Sequence, residues 1–181
     1  MIEIPQSKSK NPVYSIAIEI KINGTKLLLI SVYRPPGTSF NNLLEFFSEI
    51  AGITNKYEHL IIAGDLNVRI PSFEHRNKPD HAGIWFEDFI KESPYVFLNK
   101  KKLTHKGNIL DYTICSLQTF NIVLDWQSKP YPNSDHSQIQ FECELPVSRS
   151  ADQILSQPKT QHFFQWKLPS QKEVWGHFRP P

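Results

Sequence analysis

Residues 59–68, HLIIAGDLNV, constrain the fold more than any other stretch, because apolar residues occupy both alternating faces of one extended run. A strand that is apolar on both faces has to be covered on both sides, so this run predicts a central strand in a layered sheet. The run ends with Asp65 and Asn67 among its last residues, and such groups are costly to bury without partners. The sequence therefore predicts a buried strand that carries polar groups at its end.

The residues around this strand read as short extended runs and a few helices up to about residue 146. Residues 13–22 alternate apolar and polar positions, and the Asn23-Gly24 pair that follows is typical of a two-residue hairpin. Periodicity predicts helices at 40–57, with Leu43, Leu44, Phe47 and Ile50 on one face, and at 81–93, and further strands at 26–36, 95–99, 109–116, 120–126 and 137–145. Strands predominate without a parallel βαβ series, which predicts an α/β or α+β sandwich.

Charge and cysteine content narrow the class of protein. The net charge of +2 is compatible with nucleic-acid binding but does not by itself indicate it. The two cysteines, Cys115 and Cys143, are too few for a cysteine-rich zinc site or a disulfide framework, so we expect a reducing, intracellular environment. No apolar run approaches the length that spans a membrane, so no membrane partner is expected.

Asp65 and Asn67 are the first candidate site residues. Strand periodicity places their side chains on one face, with Leu66 turned into the core. A carboxylate at the end of a buried strand is partly desolvated and therefore more basic, so Asp65 could take a proton from water. The Asn67 amide could orient that carboxylate and donate to a developing negative charge. The alternative is that Gly-Asp-Leu-Asn forms an ordinary turn.

Further polar residues also lie at the ends of strand-like runs, where sites are usually built. Asp111 interrupts an apolar strand and needs a partner, for which His136 is the natural candidate. The alternative partners for Asp111 are Lys100, Lys101, Lys102 and Lys106. Asp135 offers a metal-ligand oxygen, although it would also suit a turn or a cap. Tyr33, before two prolines, could bind a phosphate oxygen or be a packed aromatic residue.

In chain order, the motifs SVYRPP, IIAGDLNVR, LTHKGNILDYTICS and SDHSQI are together far more specific than any one of them. On these motifs the chain resembles the endonuclease/exonuclease/phosphatase superfamily, and within it the apurinic-type endonuclease domain of non-LTR retrotransposons of the jockey and R1 kind. The resemblance covers about residues 13–145. It implies an α+β fold, a DNase I-like four-layer α/β/β/α sandwich, and Mg²⁺-dependent hydrolysis of a phosphodiester bond in DNA.

The resemblance also implies a role for each candidate residue. Asp65 would activate the attacking water, and Asn67 would position that water and stabilise the transition state. His136, held by Asp111, would bind the scissile phosphate, which Tyr33 would also contact. Asp135 would belong to the metal-binding side of the site. A basic segment would contact the DNA backbone or else be a solvated loop, and its residues are Lys100, Lys101, Lys102, His105 and Lys106.

The sequence departs from the family pattern at its start. The family has an Asn at the end of its first strand and its principal metal ligand, a Glu, in a Gln-Glu-Thr-like motif, and neither motif precedes Tyr33 here. We therefore expect an N-terminally truncated domain at 1–146 that lacks some strands and exposes apolar area, followed by a tail or linker at 147–181 leading toward a lost module.

Three functions remain open. The first is a retrotransposon endonuclease that nicks DNA, with activity impaired by the truncation, and such an enzyme would act in the nucleus. The second is a non-catalytic remnant that at most binds nucleic acid or a partner. The third is a phosphatase or sphingomyelinase-like hydrolase of the same superfamily, which SVYRPP and the basic segment disfavour.

Overall fold

The computed structural model describes residues 12–22, 24–73, 78–100 and 102–145, and the backbone of 162–164. The strands are β1 (Tyr14–Ile22), β2 (Thr25–Tyr33), β3 (His59–Asp65), β4 (Tyr95–Phe97), β5 (Asp111–Ser116), β6 (Val123–Pro130), β7 (Ser137–Cys143) and β8 (His162–Phe164). The helices are α1 (Phe40–Thr54), α2 (His81–Glu92) and the single turn α3 (Leu117–Phe120). Helices α1 and α2 and strands β1 to β7 agree with the elements predicted from periodicity, although β6 begins and ends later than the predicted 120–126. The turn α3 and strand β8 were not predicted.

Five strands form the first sheet in the order β1-β2-β3-β5-β4, in which only β2 and β3 run parallel to each other. Strand β3 lies in the middle and is buried at all seven positions, as its two apolar faces predict. Gly64 allows this close packing, because a Cβ atom added there would lie 1.8 Å from the carbonyl oxygen of Val32 on β2. The backbone of Gly64 has φ +155°, at the edge of the region that favours glycine.

Helices α1 and α2 cover one face of this sheet. Each begins at a side-chain cap, since Ser39 accepts a hydrogen bond from the Asn42 amide and Asp80 accepts one from the Gly83 amide. The apolar side of α1 packs on alternate residues of β2 and β3, and its buried side chains are Leu43, Phe46, Phe47 and Ile50. Leu44, predicted on that side, is only half-buried, because it projects away from the line that Leu43, Phe47 and Ile50 define.

Strands β6, β7 and β8 form a second sheet that covers the other face of the first. Leu29, Ile61 and Cys115 of the first sheet share a core with Trp126 and Phe141 of the second. The Trp126 indole also donates a hydrogen bond of 3.1 Å to the Thr113 hydroxyl on β5, which ties the two sheets together. The described layers are therefore helices, sheet and sheet, and the predicted α+β sandwich is confirmed.

Two regions of the molecule bear on the predicted boundaries. The second-sheet-facing side of β1 is incompletely covered, since Ile16 is 57% and Tyr14 is 38% exposed. The sequence led us to expect exposed apolar area on the sheet, and these two side chains are exposed, but its attribution to missing strands stays a prediction. Strand β8 pairs with β7 although it falls within 147–181, the segment predicted as a tail. Asn23 of the predicted hairpin turn lies outside the described residues.

Candidate active site

A row of polar side chains crosses the end of the first sheet. Strand register places Tyr33 beside Asp65 and Asp65 beside Asp111, so the three lie on neighbouring strands and point to one face. That face is the one covered by the second sheet. Tyr14 extends the row by one strand, and its ring lies roughly parallel to that of Tyr33 at a centroid distance of 6.4 Å. The sheet thus brings three predicted site residues together.

Asp65 and Asn67 form a tight local unit. The Asn67 backbone amide donates to Asp65 Oδ1 at 3.0 Å, and the Asn67 side-chain amide donates to Asp65 Oδ2 at 2.9 Å. Leu66 between them is buried in the helix-side core. The contact arises from a turn rather than from strand periodicity, because β3 ends at Asp65 and Asn67 has a left-handed backbone with φ 48°. The turn that we considered as an alternative therefore builds the candidate site.

Asp111 and His136 form the second unit of the site. The Asp111 side chain is fully buried at 0% exposure, and His136 Nδ1 lies 2.9 Å from its Oδ2. His136 precedes β7 in the connection from β6, so this contact bridges the two sheets. Its other ring nitrogen, Nε2, lies 4.0 Å from Asp65 Oδ2. The predicted pairing of Asp111 with His136 is confirmed, and Lys100 and Lys106 bind other carboxylates, those of Asp125 and Asp135.

Burial perturbs the ionisation of this cluster. Burial and the neighbouring Asp111 charge raise the pKa of Asp65 to about 7, against the opposing effects of His136 and the Asn67 hydrogen bonds. Burial alone would lower the pKa of His136, but the Asp111 hydrogen bond and the surrounding carboxylates outweigh it and raise that pKa. Two buried carboxylates, those of Asp65 and Asp111, thus lie beside a single imidazole.

Asp135 lies on the other side of His136, in contact with the basic segment. Its Oδ2 is 2.8 Å from Lys106 Nζ and 3.2 Å from His105 Nε2. The Lys106 hydrogen bond is the main cause that lowers the pKa of Asp135 to about 2, and His105 acts in the same direction. The ring of His105 packs on that of His136 at 4.4 Å between centroids. Part of the basic segment is therefore docked at the site through Asp135 and His136.

The other basic residues are less closely tied to the site. Lys102 is exposed, and Lys100 forms its ion pair with Asp125 on β6. Lys101 lies outside the described residues.

Two groups of side chains in the described part of the chain could hold a metal ion. Asp65, Asp111 and His136 form one, and His105, Asp135 and His136 form the other, with the donor atoms of each group within 4.8 Å of one another. Hard divalent cations prefer oxygen ligands. The first group offers such a cation two carboxylates, those of Asp65 and Asp111. In the second group, the carboxylate already binds Lys106.

Sequence reasoning missed Arg34, which the structure places directly behind the Asp65–Asn67 turn. Its guanidinium donates to the carbonyl oxygens of Asn67 at 3.0 Å and Leu66 at 3.3 Å. The Asn67 side-chain amide donates in return to the Arg34 carbonyl oxygen at 2.8 Å. A signal was present in the sequence, because Arg34 follows Tyr33 in a motif that ends a strand and a charged residue there needs a partner.

Comparison with known proteins gives one family and several related folds. The family model described as endonuclease-reverse transcriptase matches residues 27–140. No curated protein sequence matches the chain. Among the described residues, no helix is long and apolar enough to cross a membrane.

Solved structures add the fold. The endonuclease domain of TRAS1, a telomere-specific non-LTR retrotransposon, matches with a TM-score of 0.65 and 19% identity over 72% of this chain and 64% of that domain. The catalytic domain of Xenopus laevis APE2 matches with a TM-score of 0.49 and 16% identity, over 71% of this chain and 55% of that domain. The chain thus spans less than two thirds of either domain. The likeness to the TRAS1 domain shows a DNase I-like sandwich.

Proposed function

Since the chain belongs to the endonuclease-reverse transcriptase family, we propose that it is a Mg²⁺-dependent phosphodiester hydrolase that nicks DNA for a retrotransposon. One observation carries the proposal: Asp65, Asn67, Asp111 and His136 meet in one hydrogen-bonded cluster at the end of a rigid sheet. The chain spans less than two thirds of the related domains, so its activity and its substrate are both part of this proposal. The proposed site of action is the nucleus.

Asp65 is proposed as the general base. A base works best when its pKa lies near the working pH, and burial together with Asp111 raises the pKa of Asp65 to about 7. Asn67 holds the carboxylate by two hydrogen bonds. Both N–H groups of its side-chain amide are engaged, by Asp65 and by the Arg34 carbonyl oxygen. Asn67 is therefore proposed to orient the carboxylate, while its Oδ1 atom can accept a hydrogen bond from the attacking water.

His136 and Asp111 are proposed as the phosphate-binding pair. Asp111 accepts from Nδ1, which orients the ring and favours the imidazolium form. The Nε2 atom then faces Asp65 and the polar end of the sheet, where it can donate to a phosphate oxygen. Tyr33 lies next to Asp65 in the same row, so its hydroxyl is proposed to contact the same phosphate.

The carboxylates also suit the metal that this chemistry uses. When bound, Mg²⁺ supplies positive charge that offsets the phosphate and the leaving oxygen. Asp135, together with the buried pair Asp65 and Asp111, offers the oxygen ligands that such an ion prefers. Lys106 already pairs with Asp135, and His105 hydrogen-bonds to the same carboxylate. Competition with these two side chains is expected to weaken metal binding on that side.

The basic segment is proposed as the DNA-binding surface. The Ser137 amide donates to the Thr104 carbonyl oxygen at 2.8 Å, which fixes the segment against the start of β7. Lys102 and Lys106 are exposed, and Lys106 directly follows His105, which bridges to His136. Both lysines are proposed to neutralise phosphates that flank the scissile one.

A second candidate function is a non-catalytic protein that binds nucleic acid. The resemblance implies a glutamate as the principal metal ligand. Neither of the two possible metal-binding groups in the described ranges contains a glutamate, which favours a protein without catalysis. In this case the basic segment would keep its affinity for DNA while the cluster turned over no substrate.

Nicking of supercoiled plasmid in Mg²⁺ tests the proposal. We expect open-circle product in Mg²⁺, none in EDTA, and a loss of at least about 100-fold in Asp65→Ala. Asp88→Ala, on the exposed side of α2, is the matched control and should nick at the wild-type rate. DNA binding without nicking would favour the second function, and nicking that persists in Asp65→Ala would exclude Asp65 as the base.

A further inference from the structure

Arg34 is a buried cation at the back of the candidate active site. It follows the last residue of β2, and only 8% of it is exposed. The described residues place no carboxylate in ion-pair contact with it, and its guanidinium hydrogen bonds all end on backbone carbonyl oxygens. A buried charge is normally paired with an opposite charge. The role of Arg34 therefore has to follow from the backbone segments whose carbonyl oxygens it binds.

The guanidinium joins two separate loops. One terminal nitrogen, Nη1, donates to Leu66 and Asn67, and the other, Nη2, donates to the Thr38 carbonyl oxygen at 2.5 Å. Because the fork of an arginine is planar and rigid, it sets the spacing between the groups that it binds. A lysine ammonium has no such fork and would leave part of the set without a donor.

The backbone of Arg34 adds two more contacts to the same turn. Its amide donates to the Asp65 carbonyl oxygen at 2.8 Å, and its own carbonyl oxygen accepts from the Asn67 side chain at 2.8 Å. Arg34 thus binds the turn at Asp65, Leu66 and Asn67 through both its side chain and its backbone.

The left-handed backbone of Asn67 sets the direction of its side chain. Its φ of 48° lies in a region that asparagine tolerates better than most residues with a side chain, although it is less populated than the right-handed region. Its side-chain amide donates one hydrogen bond to Asp65 and one to the Arg34 carbonyl oxygen. A change of the Asn67 backbone to another conformation would therefore move the amide away from the Asp65 carboxylate. The guanidinium bond to the Asn67 carbonyl oxygen opposes that change.

We propose that Arg34 is a positioning residue for phosphodiester cleavage: its guanidinium holds the Leu66–Asn67 backbone, and through it the Asn67 amide, beside Asp65. This inference rests on the proposed function, since it assigns Arg34 to the same reaction. Arg34 acts through Asn67, without contacting the substrate. Its removal should therefore lower kcat without a matching change in KM.

A double-mutant cycle tests the route of action. In plasmid nicking, Arg34→Lys should lower kcat by about 100-fold while KM stays within about 3-fold, and Asn67→Ala should lower kcat by a similar factor. Because both act on one amide, the double variant should be no more than about 3-fold slower than the slower single variant. Arg69→Lys is the matched control, since Arg69 also binds a backbone carbonyl oxygen but lies beside Asp80. It should keep the wild-type kcat.

Chemical rescue gives a second readout that a purely structural role would not produce. In Arg34→Ala, guanidinium ion at non-denaturing millimolar concentration should raise kcat by at least about 10-fold, and methylammonium should leave it unchanged. Near-UV circular dichroism establishes that each variant is folded; should Arg34→Ala be unfolded, the cycle with Arg34→Lys decides.

The outcomes separate this inference from the proposed function. If the wild-type protein nicks DNA but the kcat losses of the two single variants multiply in the double variant, the role of Arg34 is overturned while the proposed function stands. The same holds if Arg34→Lys keeps the wild-type kcat, as Arg69→Lys is expected to do. A wild-type protein that does not nick in Mg²⁺ overturns both.

Discussion

Replacing Asp65 by asparagine should stabilise the protein above neutral pH while it abolishes nicking. Asp65 is 7% exposed and lies beside the fully buried Asp111, and burial with this neighbour raises its pKa from 3.8 to about 7. A folded-state pKa above the unfolded one means that the folded protein holds the proton more tightly. This contribution to stability is fully present below about pH 4 and is lost as the pH rises through 7.

The magnitude follows from the size of the shift. A rise of about 3 pKa units at 1.36 kcal/mol per unit means that the ionised carboxylate costs the folded state about 4 kcal/mol above pH 7. An asparagine amide cannot accept both hydrogen bonds from Asn67, which costs about 1 kcal/mol. We therefore expect Asp65→Asn to gain about 3 kcal/mol at pH 8.5, and less than about 1 kcal/mol in either direction at pH 5.

Thermal unfolding in EDTA measures this difference without a contribution from metal. For a domain of this size, about 3 kcal/mol corresponds to a rise in Tm of roughly 6–12 °C at pH 8.5. Asp88→Asn is the control, because that carboxylate is solvent-exposed and pairs only with Lys91 among the described residues, so its Tm should change little at either pH. A Tm gain of equal size at pH 5 and pH 8.5, or no gain at pH 8.5, would refute the argument that the ionised Asp65 carboxylate destabilises the folded state.

Further predictions concern the other parts of the site and the sheet that carries it. Asp111→Asn should slow nicking at least about 100-fold, and an NMR titration should show the pKa of His136 falling once its main partner is neutral. Gly64→Ala should destabilise the fold by at least about 3 kcal/mol in chemical denaturation, because its Cβ would lie 1.8 Å from a carbonyl oxygen of the neighbouring strand. By contrast, Gly52→Ala in α1, where nothing lies within 4 Å, should stabilise it by about 0.5–1 kcal/mol. Lys106→Ala should reduce the salt dependence of oligonucleotide binding, measured by fluorescence anisotropy, by about one unit of slope.

The sheet and the Asp111–His136 pair could be predicted from the sequence because each follows from the cost of burying a particular group. An apolar run on both faces requires two covering layers, and Asp111 within an apolar strand requires a partner. Both arguments hold whatever the details of the surrounding structure, and β3 and the Asp111–His136 contact agree with them.

Contacts that depend on three-dimensional register could not be predicted in the same way. The Asn67 amide reaches Asp65 because the chain turns into a left-handed conformation, which strand periodicity does not encode. The guanidinium of Arg34 reaches carbonyl groups 32 and 33 residues away, and the pairing of Asp135 with Lys106 depends on how the basic segment docks. The contacts of Arg34 and of Asp135 require the relative position of two loops, which only the packed sheets determine.

The split of the site between two sheets has a consequence for how the protein responds to denaturant. Asp65 and Asp111 belong to the first sheet, whereas His136 comes from the second, and its ring connects them only while the sheets stay docked. Partial opening of a domain costs less free energy than complete unfolding. The proposed nicking activity should therefore be lost at a lower urea concentration than the far-UV circular dichroism signal, so that this activity would report on the separation of the two sheets.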